Sequence, residues 1–161
     1  MSKKLPNRRL GFFIFSLLLP FLAGAIGSAF TYSAIPVWYA GLLKPSFNPP
    51  NYLFGPVWSL LYLLMGYSFY LVLKSDSSED KKNAVRVFVI QLVLNSLWSI
   101  GFFGLRSPIL GVFVIIPLWM FIFVMITRFY RINKIAGLIN IPYFLWVSFA
   151  SLLNISIFIL N

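Results

Sequence analysis

The 161-residue chain contains no cysteine and no histidine. Without cysteine there can be no disulfide, no thiol nucleophile and no thiolate-held iron–sulfur cluster. Without histidine, a histidine-ligated metal, a histidine-held haem and a Ser-His-Asp triad are also excluded. Acids are nearly missing: Asp76, Glu79 and Asp80 are the whole set, and all fall in the polar tract SDSSEDKKN at 75–83. No carboxylate therefore lies in an apolar stretch, and proton-coupled transport loses the intramembrane Asp, Glu or His that normally carries it. No hydrolytic or metal-dependent site is evident, and no cofactor is required by what remains.

What is present is apolar and aromatic: 60 % of residues are hydrophobic and 19 % are Phe, Trp or Tyr. The apolar residues fall in runs of about 20, the length that crosses a hydrocarbon core of roughly 30 Å. Five such runs occur, at Leu10 to Phe30, Tyr52 to Leu73, Ala84 to Gly104, Pro108 to Thr127 and Ile135 to Leu160. Polar or helix-breaking residues separate them. The expected fold is an all-α integral membrane protein, a single bundle of five transmembrane helices over residues 1–161 with a loop at 31–51. Lys3, Lys4, Arg8 and Arg9 before the first run resemble the start of a secretory signal, but a run of about 20 exceeds a signal core of about 7–15, so the segment reads as a spanning helix.

Cations fix an expected orientation. With the amino terminus inside, one side holds Lys3, Lys4, Arg8, Arg9, Lys74, Lys81, Lys82, Arg86, Arg128, Arg131 and Lys134, and the other holds Lys44 and Arg106. That division accounts for all 13 cations and predicts a cytoplasmic amino terminus, with the 31–51 loop and the carboxyl terminus outside. The net charge of +10 is then explained by anchoring beside anionic membrane lipid, and no nucleic-acid partner is expected. The initial Met and the absence of a transit peptide point to a bacterial cell (inner) membrane.

Polar and aromatic residues recur at helical spacing on three of the runs. Trp58, Tyr62, Met65 and Phe69 share one face of the second. Gln91, Asn95, Trp98 and Phe102 do so on the third, and Tyr143, Trp146, Ala150 and Asn154 on the last. Carboxamides in hydrocarbon must face protein, because an unsatisfied polar group there costs several kcal/mol, so the three stripes are expected to converge on one interior. That interior is either interhelical glue, each hydrogen bond contributing about 1 kcal/mol, or a small-molecule pocket with aromatic walls. Before the second helix, Pro45, Pro49 and Pro50 stiffen an aromatic loop that would serve as a lid.

Here the residues carry a resemblance. Trp38-Tyr39, Lys44-Pro45-Ser46, Pro49-Pro50, Phe54-Gly55-Pro56-Val57-Trp58, Leu61-Tyr62 and Met65-Gly66 resemble the signature of the translocator protein family, also called tryptophan-rich sensory proteins or peripheral benzodiazepine receptors. The likeness continues through Gln91-Leu92, Leu94-Asn95, Trp98 and Phe102-Phe103, then Pro142-Tyr143, Trp146, Phe149-Ala150 and Leu153-Asn154. It implies a five-helix bundle, commonly a homodimer, that binds tetrapyrroles such as protoporphyrin IX as ligand or substrate, and in some members cholesterol or benzodiazepine-type drugs. Pocket positions carried over are Tyr39, Pro49, Trp58, Tyr62, Asn95, Trp98, Trp146 and Ala150. Phe54 from the motif and Phe102, Tyr143 and Asn154 from the stripes complete the expected ligand-binding set. Some bacterial members degrade protoporphyrin in light through two tryptophans, which match Trp58 and Trp146 and make these the catalytic candidates. Lys44, Phe47 and Pro50 are the lid positions.

The chain departs from the family at Phe47 and Tyr52, where many members have tryptophan. The sterol-recognition pattern is missing from the end of the last helix, and loose matches elsewhere (Leu64, Tyr70, Lys74; Val124, Tyr130, Lys134) show how weak that pattern is. Ala23, Gly24, Gly27 and Ser28 permit close helix approach and are read as packing within the bundle. Pro117 is expected to kink the fourth helix, and Trp119 to pack or sit at the interface. Lys44 either snorkels to headgroups or meets a porphyrin propionate. Three functions follow in order: tetrapyrrole binding with a sensory or translocator role, light- and oxygen-dependent porphyrin degradation, and porphyrin, lipid or sterol transport. Transport has the least behind it, since neither an inverted repeat nor an embedded charge is evident.

Overall fold

The structure, a computed structural model, describes residues 6–75 and 79–161, with side chains from residue 9 onward in the first part and from residue 80 in the second. Lys3, Lys4 and Asp76, and the side chains of Arg8 and Glu79, lie outside the described residues. Six α-helices follow one another: α1 (Pro6–Ala34), α2 (Phe54–Lys74), α3 (Glu79–Ser99), α4 (Pro108–Ile132), α5 (Lys134–Leu138) and α6 (Ile141–Leu160). α1 runs on through a π-helical turn at Ile35–Tyr39, and α3 through another at Ile100–Gly104. Together they form five stretches long and apolar enough to cross a membrane, with no strand among the described residues.

Local chemistry sets the ends. The Ser107 hydroxyl accepts from the Leu110 amide at 3.4 Å and Pro108 opens α4, a position where its missing N–H costs nothing. The Asn133 side chain accepts from the Ala136 amide at 3.0 Å, so one residue ends α4 and caps α5. Lys81 Nζ donates to the carbonyls of Leu73 (3.0 Å) and Ser75, closing the carboxyl end of α2 with a cation where the helix dipole favours one.

Several boundaries differ from those read in the sequence. The expected 31–51 loop shrinks to residues 42–50, because α1 stays helical through Gly41 and a 3-10 turn begins at Asn51. Pro36 lies within the widened π turn, which accommodates it, with the Ala40 amide donating back to Ile35. α3 begins at Glu79 rather than Ala84, with Asp80 in its first turn, where an acid suits the dipole. α4 continues five residues beyond Thr127, to Ile132. The last span is two helices, α5 and α6, broken at Ile139–Asn140 before Pro142.

The bundle is solid at its cationic end and open at the other. Phe69 and Phe88 stack with centroids 4.1 Å apart, Phe129 stacks on both, and Met65, Val72, Ile122 and Met125 fill the surroundings. Beside them Ser68 Oγ donates to the Ala136 carbonyl at 2.7 Å and Asn140 Nδ2 donates to the same carbonyl at 2.8 Å, tying α2 to the α5–α6 corner. A Cβ on Gly66 would fall 2.8 Å from Leu17 Cα and 2.9 Å from the Ser16 carbonyl, so α1 and α2 touch backbone to backbone there. Toward the other end the helices are separated by rings and amides.

Candidate functional site

The three stripes meet. Tyr143 is wholly buried; its hydroxyl donates to Gln91 Oε1 at 2.9 Å and accepts from Asn95 Nδ2 at 3.1 Å, while Tyr62 donates to Asn95 Oδ1 at 3.3 Å. α2, α3 and α6 are thereby joined at membrane depth, each amide spending its polarity on protein as the hydrocarbon surroundings demand. A second knot lies toward the open end. Trp98 Nε1 donates to Asn154 Oδ1 at 3.0 Å, and Asn154 Nδ2 donates to the Pro108 carbonyl at 3.0 Å.

Between these knots and α1 lies a cavity of about 490 Å³. Nine of the expected ligand-binding residues line it: Tyr39, Phe54, Trp58, Tyr62, Asn95, Trp98, Phe102, Ala150 and Asn154. The rings are mutually braced, Trp58 lying 5.5 Å from Tyr62 and Trp98 stacking on Phe102 at 5.6 Å. Glue and pocket, the two alternatives at the level of sequence, are both present: the amides link helices and the rings they hold enclose space.

Three expected ligand contacts sit outside the lining. Tyr143 packs behind Trp58, ring to ring at 6.1 Å, and acts as a support for it. Trp146 lies behind Phe54 at 6.0 Å and beside Phe149 at 5.6 Å, its indole N–H buried without a partner. Pro49 belongs to the loop, where its carbonyl accepts from Asn48 Nδ2 at 3.1 Å. The lid positions Lys44, Phe47 and Pro50 also stand away from the cavity wall. Lys44 Nζ donates to the carbonyls of Ala40 (3.2 Å) and Leu42 (3.0 Å) and lies 4.9 Å above the Tyr39 ring, so it closes the end of the first span. Phe47 leans on Phe149 at 6.2 Å, and Pro50 precedes the 3-10 turn whose first residue, Asn51, does reach the cavity. The loop is fastened by Tyr39 donating to Asn48 Oδ1 at 2.7 Å and by Asn161, which both accepts from the Leu43 amide and donates to its carbonyl at 3.0 Å.

The wall contributed by α1 was not foreseen. Phe21, Gly24, Ser28, Tyr32 and Ile35 recur at steps of three and four and all face the cavity. The sequence carries a signal for it: Ser28, Thr31 and Tyr32 are polar residues clustered in the second half of an apolar span, beside small residues whose spacing reads equally as packing. Gly24 is where glycine is needed, since a Cβ would stand 2.7 Å from Tyr62 Cζ. Ala25, Ser28 and Tyr32 on α1, with Asn51, Gly55 and Ser59 opposite, are exposed and form the mouth of the cavity, between the halves of the first two spans nearer the 42–50 loop.

Comparison with known proteins agrees with this architecture. The family model described as the TspO/MBR family matches residues 16–160. The tryptophan-rich protein TspO of Chlorobaculum tepidum is 45 % identical over 139 residues, covering 86 % of this chain and 88 % of that protein. Its namesake in Archaeoglobus fulgidus is 43 % identical over 146 residues, 91 % of this chain and 94 % of the relative. The translocator protein of Homo sapiens is 34 % identical over 139 residues, 85 % of this chain and 82 % of the human one. A match that spans the bundle from α1 to the end of α6 makes this chain a member of the TspO/MBR family of integral membrane proteins.

Proposed function

We propose that the protein binds a tetrapyrrole, with protoporphyrin IX as the reference ligand, and acts through that binding as a membrane sensor or translocator. The observation that carries this reading is the cavity of about 490 Å³ walled by Trp58, Tyr62, Trp98 and Phe102. Its size falls in the range of about 300–1,000 Å³ typical of small-molecule sites, and aromatic walls braced ring against ring suit a flat conjugated ligand. The mouth between the first two spans opens to where lipid lies, giving a membrane-dissolved ligand a direct way in. The test is a titration with protoporphyrin IX in the dark, following tryptophan fluorescence. Saturable quenching at one ligand per chain, weakened by Asn95→Leu, is the expected result. Wild-type protein that shows no quenching sinks the proposal.

A second reading, light- and oxygen-dependent degradation of the bound porphyrin, has one observation in its favour. Of the two matching tryptophans, Trp58 faces the cavity while Trp146 lies behind Phe54, so contact with ligand falls to Trp58 and Trp146 is one ring removed. Aerobic illumination of the complex is then expected to bleach porphyrin faster than in the Trp58→Phe, Trp146→Phe double variant. Equal rates leave binding as the whole function.

A further inference from the structure

Arg106 occupies a backbone position that suits glycine. The π-helical turn Ile100–Gly104 ends on Leu105, and Arg106 follows with φ 53°, the one non-glycine residue in the left-handed region among the described residues. The Ser107 amide then donates back to the carbonyls of Phe102 (3.2 Å) and Gly101 (3.4 Å), a helix closure in which the left-handed residue is usually glycine and sometimes asparagine. An arginine here carries a steric cost that glycine avoids, and local rules broken in this way point to a use for the side chain. That side chain is exposed. The chain also offers it no acid: all three belong to the 75–83 tract, and Arg106 follows the far end of the 25-residue span Asp80–Gly104.

Beside this turn lies an open apolar groove of about 300 Å³. Trp38 and Leu42 line it from the end of the first span, Pro108 and Ile109 from the start of α4, and Phe158 and Asn161 from the end of the last span. It shares no lining residue with the aromatic cavity. Its walls are held in place: Trp38 packs edge-on against Phe102 at 5.4 Å, the Pro108 carbonyl accepts from Asn154, and the Asn161 side chain bonds the Leu43 backbone in both directions. Ile109 and Phe158 stay exposed at the rim. Arg106 is two residues from Pro108, at most about 7 Å of chain, so its side chain can reach the groove's edge.

We propose that this groove is a phospholipid site, in which one acyl chain lies between Trp38, Ile109 and Phe158 and the Arg106 guanidinium holds the phosphate of a lipid with a net negative headgroup. An apolar groove at the end of three spans opens to lipid, and a cation in the turn between two spans lies at headgroup depth. A guanidinium matches a phosphate with two parallel N–H donors. A zwitterionic headgroup brings its own ammonium to that phosphate, and a sterol offers only a neutral hydroxyl. A second copy of the chain in the same orientation would bring another Arg106 to this level and no acid, so charge complementarity favours lipid over protein as the occupant.

The experiment illuminates the intact protein in nanodiscs carrying phosphatidylglycerol or phosphatidylcholine with a diazirine-bearing acyl chain, then maps the labelled peptides. Phosphatidylglycerol is expected to label residues 38–42, 108–113 and 158–161 at least about fivefold more than phosphatidylcholine does. Arg106→Gly is expected to bring that labelling down to the phosphatidylcholine level, while its thermal melt in lipid-free detergent stays unchanged or rises, because glycine suits the left-handed position. Arg106→Asn, whose side chain also tolerates that conformation, is expected to lose the labelling in the same way. Equal labelling by the two lipids in the wild type overturns the proposal, as does labelling that both variants retain. No labelling of these segments, the result for a groove covered by a second copy, also overturns it. Stronger labelling there by a photoactivatable cholesterol does so in favour of a sterol. A melt lowered by Arg106→Gly would make the arginine a structural residue and remove the argument from its backbone.

Discussion

Asn154 holds the outer aromatic wall in place. It accepts from Trp98 and donates to the Pro108 carbonyl, and Gly111 leaves room for it, since a Cβ there would lie 2.6 Å from Asn154 Oδ1. Replacing it by leucine strands the Trp98 indole N–H. Asn154→Leu is expected to lower stability by about 1–3 kcal/mol and to loosen Trp98 on Phe102. A thermal melt reads the first effect and a red shift of tryptophan emission the second; an unchanged melt and spectrum would show that packing alone fixes Trp98. Gly24 acts by absence. Gly24→Val is expected to push the Tyr62 ring toward the cavity, break its bond to Asn95 and cut porphyrin affinity by about tenfold or more, while the melt moves little. Because the atoms in the way belong to a side chain, the cost falls on the site.

The same substitution chemistry one turn of contact away falls on the helices themselves. At Gly66 the neighbours are Leu17 Cα and the Ser16 carbonyl, which cannot yield without moving α1. Gly66→Ala is expected to cost about 1–3 kcal/mol through overpacking, more than Gly24→Ala, and paired thermal melts decide it. Equal losses would mean that the two helices slide freely. Element-level structure was also the level most legible in the sequence. Periodic stripes on three spans place Tyr62, Asn95 and Tyr143 within one hydrogen-bonded chain, because a step of three or four puts residues on one face and amides in lipid must find each other. Two π turns were not legible. They depend on how Pro36 and the Ile100–Gly104 stretch are packed rather than on any period, and the first of them carries the helix past Pro36. Trp146 was misplaced as a contact for a related reason: its face of α6 is right, but Phe54 stands between it and the cavity.

For the whole molecule, the charge division predicts which end meets the cytoplasm. The chain has no cysteine, so single thiols report without background. Ser46→Cys is expected to react with an impermeant maleimide on intact cells, and Asn83→Cys only after permeabilisation. The opposite pattern would invert the orientation read from the cations. The two ends differ in a further respect that concerns compression. The cavity lies at one end, while the Phe69, Phe88 and Phe129 rings pack against one another at the other. Hydrostatic pressure favours states that eliminate internal voids, so under load the molecule should yield first around Trp58 and Trp98 and last around Phe88. A ligand that fills the space takes away the volume to be gained, and with it most of the protein's sensitivity to pressure.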